Sequence, residues 1–169
     1  PVAQLRTLED RFADLLIVGA VSAGHAALVA KVPRVWVDLN RSEREFDPGL
    51  VTTPEGVVPL ASAKVRGGLG VVPRRVLRGG DIWRGRLSAE AFEDRLAGAH
   101  RPWHAHITAR LETLFERFGV AVLLDVHSMP PLSPANDGQP VPHVVIGDLF
   151  GRSARGQYSR TALQVAERH

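Results

Sequence analysis

The chain has 169 residues, no cysteine, 44% hydrophobic residues and a formal charge of +3. That length suits one domain with a substantial core. Without cysteine there are no disulfides or thiolate metal sites, so a metal here is held by histidine and carboxylate, and no apolar run is long enough for a membrane span. The pI is near 10.1 because all the cations except Lys31 and Lys64 are arginine, which suits bidentate recognition of carboxylate or phosphate. Heavy Arg, Ala, Val and Gly usage equally follows from genome composition, so pI alone does not argue for nucleic acid. No signal peptide is legible at Pro1, and a cytoplasmic location is expected.

Leu5, Leu8, Phe12, Leu15 and Leu16 recur at helical spacing, which predicts an amphipathic helix over 3–18. Glu9, Asp10 and Asp14 lie on its more polar sides. Ala20–Gly24 reads as a turn and Ala27–Ala30 as a short strand. The β-branched and aromatic run at 34–39 predicts a better strand, which ends in Asn40-Arg41. An Asn beside an Arg at a strand end can grip a carboxylate, the Arg supplying a bidentate pair; the plainer alternative is a turn with a surface arginine.

From Ser42 to Arg86 periodicity is lost among Pro, Gly and Arg, as in a functional loop or a disordered segment. A short strand at Gly70–Pro73 is its only expected element. Arg66, Arg74, Arg75, Arg78, Arg84 and Arg86 make it electropositive, facing an anionic ligand or water. Ser88 is an N-cap for a helix from Ala89 to about Gly98. Pro102 suits the first turn of a second helix, Trp103–Phe118, striped by Ile107, Leu111, Leu114, Phe115 and Phe118 and ended by Gly119. His100, His104 and His106 cluster at that junction; with His100 ahead of the proline, a His-x3-His metal pair on one helix is not expected.

Residues 120–126 carry an uncharged apolar run and read as a strand buried on both faces, closing in Asp125, His127 and Ser128. In open α/β sheets functional groups lie beyond the carboxyl ends of strands, and alternation puts Asp125 and His127 on one side. The alternative is a core strand whose histidine hydrogen-bonds a loop carbonyl. A Pro- and Gly-rich loop follows over 130–142, then a strand over 143–147, the turns at Gly147-Asp148 and Gly151-Arg152-Ser153, and a helix over 157–169. The predicted fold is α/β, a three-layer sandwich around a mixed, largely parallel sheet, in a single domain over 1–169. The chain starts without Met inside helical periodicity and ends without a stop signal, so completing residues are expected beyond both ends.

Val37-Asp38-Leu39-Asn40-Arg41, then Arg95 and His100-Arg101-Pro102-Trp103-His104, then Leu124-Asp125-Val126-His127-Ser128-Met129-Pro130 and Ile146–Gly151 resemble, in order and spacing, the N-formylglutamate amidohydrolase family. That family is similar to zinc carboxypeptidases. The resemblance implies a zinc-peptidase-like fold and a zinc ion, or another divalent metal, with His127 as the downstream ligand and Asp10 as the carboxylate ligand, Glu9 and Asp14 being the alternatives. It implies Asn40 and Arg41, with Arg95 and His104, as substrate-binding groups for a small carboxylate-bearing molecule. The implied activity is hydrolysis of N-formyl-L-glutamate to formate and glutamate, in amino-acid degradation and histidine catabolism. Zinc would polarise a water, with Asp125 orienting His127. The family's first histidine is expected before Pro1 and its general-base glutamate beyond His169, so no catalytic residue is assigned within the chain. Other readings are a hydrolase of another N-acyl or acidic amide and a non-catalytic basic binding module. Only Trp83 lies among the arginines of the loop, which argues against a nucleic-acid surface.

Overall fold

A computed structural model describes residues 5–76, 80–130, 132 and 141–168. The chain divides into two compact units, Pro1–Ser128 and Met129–His169, described separately below.

In the first unit the core is built by the segment whose aperiodic sequence reads as a loop. Phe46, Leu50, Val51, Val71 and Val72 are buried there with Val37, Phe92, Leu96 and Ala99, and the Phe46 and Phe92 rings meet at 5.0 Å between centroids. Single hydrogen bonds between segments distant in sequence, not ladders, tie this backbone together. Val71 N–H donates to Glu45 O at 2.6 Å, and Asp38 N–H donates to Val71 O at 2.7 Å. The described residues of this segment are thus packed into the core, not held apart from it as a loop. Gly70 lets it pass: a Cβ there would lie 2.5 Å from the Glu45 carbonyl oxygen.

Helix α1, Ala89–Arg95, starts at Ser88, whose hydroxyl accepts from Ala91 N–H at 3.1 Å. It passes through a π turn, Leu96–His100, directly into α2, Arg101–Phe118. Pro102 lacks an N–H and would crowd the carbonyl four residues back in an ordinary helix; the wider π turn carries the chain past it without a break. His100 and His104 therefore do lie on one helical run. Trp103, Ile107, Leu111 and Leu114 are half-buried, whereas Phe115 and Phe118 are exposed. Gly119, at φ 68°, ends α2 by donating to Phe115 O at 2.7 Å.

The expected sandwich around a mixed, largely parallel sheet does not form. Among the described residues there is no β-sheet, only the isolated bridges Val51–Leu87 and Arg75–Asp81. The 34–39 segment is turned: the amides of Trp36 and Val37 both donate to Pro33 O, at 2.9 and 3.3 Å. Ala27–Ala30 is exposed and irregular. Residues 120–126 join no ladder, and Leu124 is 77% exposed. An apolar run reports side chains that favour burial, but a parallel strand also needs a neighbouring backbone on each side, and no described segment supplies one. The helix expected over 3–18 is likewise broken into a 3-10 turn, Arg6–Leu8, and one-turn helices Ala13–Leu16 and Val18–Ser22, with Phe12 in the left-handed region at φ 64°.

In the second unit, α3 covers Gly156–Ala166, close to the predicted helix. The predicted strand at 143–147 is irregular, with Val144 and Val145 exposed. Most of the loop expected over 130–142 lies outside the described residues, as does Arg78. Among the described residues no helix is long and apolar enough to cross a membrane.

Candidate functional site

Three distant stretches of the first unit meet at His127. Its Nδ1 lies 2.9 Å from Asp10 Oδ2, and its Nε2 lies 2.9 Å from Asn40 Nδ2 and 3.0 Å from Asp125 Oδ2. Nδ1–H donating to Asp10 leaves the Nε2 lone pair to accept from Asn40. A second proton, on Nε2, would face Asp125 instead. Burial opposes protonation of this ring, but the hydrogen bond to Asp10 and the charges of Asp125 and Asp10 outweigh it, so its pKa is raised above the ordinary imidazole value. Of the three acids considered near the amino end, Asp10 faces the imidazole, whereas Glu9 and Asp14 are exposed.

Arg34 completes the cluster, and the sequence offered no signal for it beyond its place four residues ahead of Asp38. Its Nη2 donates to Asp10 Oδ2 at 2.7 Å and stands 3.3 Å from His127 Nδ1, while its Nε is 3.6 Å from Asp38 Oδ1. A positive charge is thus drawn to the point where the acid and the imidazole converge. Asp38, buried, also accepts from Asn40 N–H at 3.0 Å.

Next to this cluster is a solvent-open depression of about 620 Å³, lined by Asn40, Arg41, Glu43, Arg44, His100 and His104 among others. Arg41 Nη1 donates to Asn40 O at 2.6 Å, and its Nε donates to Leu69 O at 3.3 Å. From α2, His104 Nε2–H donates to Leu39 O at 2.9 Å. Arg95 is elsewhere: it is buried, its Nη1 donates to Trp36 O at 2.8 Å, and its guanidinium lies 5.5 and 4.7 Å from the ring centroids of Trp36 and Trp83. Of the loop arginines, Arg74 and Arg75 pair with Asp81 at 3.1 and 2.9 Å, and Arg66 and Arg86 donate to backbone carbonyls.

The donors at Asp10 and His127, a carboxylate oxygen and an imidazole nitrogen, suit zinc or another divalent ion in kind. They are two in number. Among the described residues no group of three or more His, Asp or Glu side chains is arranged to hold a metal.

An acid–imidazole pair thus stands beside an Asn–Arg pair at the rim of an open depression. The family model for N-formylglutamate amidohydrolase matches residues 1–169. The chain belongs to that family. Among solved structures it is similar to the N-formylglutamate amidohydrolase from Ralstonia eutropha JMP134, at 30% identity and a TM-score of 0.73 over 78% of this chain, and it spans 47% of that chain's length. No curated protein matches it.

Proposed function

We propose that this chain carries the substrate-binding part, and part of the metal-binding part, of an amidohydrolase that cleaves N-formyl-L-glutamate to formate and glutamate. The observation that carries the reading is the meeting of Asp10, Asn40 and His127, separated by up to 117 residues in the chain, in a member of this family. Asn40 and Arg41 grip the α-carboxylate, Arg41 through the planar fork that matches a carboxylate. His104 lies at the same rim, and Arg95 supports Trp36, four residues ahead of Asn40. Asp10 and His127 are the residues that would hold a divalent metal; when bound, such an ion lowers the pKa of a water and polarises the acyl oxygen. Without a metal Asp10 accepts the Nδ1 proton of His127, and an ion shared by the two would take that proton's place, while Asn40 and Asp125 compete for Nε2. Fixing the carboxylate leaves the formyl group as the part of the substrate free to reach this cluster.

Arg41→Lys keeps the charge but loses the fork. Charged hydrogen bonds of this kind are worth on the order of 1.5–3 kcal/mol, so kcat/KM for N-formylglutamate is expected to fall by about ten- to a hundredfold. The α-amide of the same substrate, already poor, should lose little more. Equal losses on both substrates would mean that Arg41 acts on the fold and not on the carboxylate. For the metal, His127→Ala is expected to lower the zinc bound at equilibrium, read by elemental analysis after dialysis against buffered zinc; unchanged zinc content would remove His127 from the ligand set.

A further inference from the structure

We infer that His100 is a positioning residue for the Asn40–Arg41 clamp, acting through its hydrogen bond to the Arg41 carbonyl; the inference rests on the clamp reading above. His100 is 4% exposed, on the π turn, and its Nε2–H donates to Arg41 O at 2.7 Å from 59 residues away in sequence. One turn further on, His104 Nε2–H donates to Leu39 O at 2.9 Å, and the two rings are 4.5 Å apart between centroids. Four helical residues rise about 6 Å, so one helix face reaches two carbonyls two residues apart. The carbonyl between them, that of Asn40, accepts from Arg41's own Nη1 at 2.6 Å.

All three carbonyls of Leu39-Asn40-Arg41 are therefore held, two of them by imidazoles on one face of the helix. Peptide planes held in this way fix the directions in which the Asn40 amide and the Arg41 guanidinium leave the backbone, which is what a two-residue clamp needs in order to meet both oxygens of one carboxylate. The π turn matters because it brings His100 inward at the residue just before Pro102. His100 holds this position at a cost. Its Nδ1 is buried with no hydrogen-bond partner, the nearest carboxylate oxygen being Glu43 Oε1 at 3.7 Å. A ring kept only for packing would be better as phenylalanine.

The test is calorimetric binding of N-formyl-L-glutamate and of its α-amide to the full chain and to R41K, H100F and H100Q. The parent should prefer the free α-carboxylate, and R41K should lose that preference. H100F should lose it by on the order of ten- to a hundredfold, with little change in Tm, because it exchanges an unpaired ring nitrogen for an unpaired carbonyl. H100Q, whose amide nitrogen reaches as far as Nε2, should recover most of it. If phenylalanine is not tolerated, His100→Asn, too short to reach the carbonyl, takes its place. Loss in R41K with full preference in H100F, or H100Q no better than H100F, overturns the inference alone. No preference in the parent, or none lost in R41K, overturns the clamp and the inference together.

Discussion

Arg95 and Asp148 show how differently a buried cation and a half-buried carboxylate behave. Arg95 lies against two tryptophan rings and donates to Trp36 O, and burial pushes its pKa down. Its planar, weakly hydrated cation tolerates this better than an ammonium would. Arg95→Lys should therefore destabilise the first unit by about 1–3 kcal/mol in chemical denaturation, and an unchanged midpoint would mean that the stacking contributes nothing. Asp148, half-buried, accepts from Gly151 N–H at 3.0 Å and from the Ser159 hydroxyl at 2.8 Å. The Gly151 amide, then Ser159, lower its pKa against the opposing effect of burial. A carboxylate held below its unfolded value contributes stability above that value and loses it as pH falls through the folded pKa. The carboxyl carbon of Asp148 should thus titrate below the usual aspartate range by NMR, and Ser159→Ala should move it back upward; an unmoved titration would show that the hydroxyl is not engaged. At this scale the sequence was informative where chemistry is local, as for the D-x-N-R and D-x-H-S groups. Arg34 was not legible, because its partner Asp10 is 24 residues away.

The helix ends were legible because caps are chemistry between residues three or four apart. Ser88 and Gly119 act as their types predict, and α2 and α3 start and stop within a few residues of the periodic pattern. The strands were misread for the opposite reason: apolar, β-branched runs identify side chains that favour burial, and strand identity depends on partners that the run does not name. The π turn is not legible in the sequence, because a proline within a helical pattern signals a break more often than a widened turn. Two glycines separate local from nonlocal demand. Gly119 has a positive φ and open space around its Cα, whereas Gly70 has an ordinary φ but meets the Glu45 carbonyl. Gly119→Ala is expected to cost about 1 kcal/mol, from backbone strain alone. Gly70→Ala should cost more, about 2–4 kcal/mol, because the new methyl forces apart the contact through which Val71 joins Glu45. Equal losses in thermal unfolding would contradict this division.

Across the molecule, burial follows hydrogen bonding and not hydrophobicity. The 42–86 segment, rich in Gly, Pro and Arg, is stitched by backbone bonds such as Thr52 N–H to Leu87 O at 2.8 Å and Leu87 N–H to Leu50 O at 2.8 Å, and it buries Phe46, Leu50, Val51, Val71 and Val72. The more apolar 120–126 segment has no backbone bonds of this kind to any described residue, and Val120, Val122, Leu123, Leu124 and Val126 are exposed. Composition points the wrong way at both places, because side-chain hydrophobicity states a preference while the backbone's donors and acceptors decide which segment can be enclosed. Native-state hydrogen exchange separates the two accounts. The amides of Asp38, Thr52, Val71 and Leu87 are each bonded to a carbonyl at least 26 residues away or within the buried core, so they should exchange only through large openings of the first unit and share its free energy of unfolding. Those of residues 120–126 should exchange near the rate of an unstructured peptide. Slow exchange in 120–126 that disappears on dilution would mean that a second chain supplies the missing neighbour, and slow exchange independent of concentration would mean that this segment is paired within the chain after all.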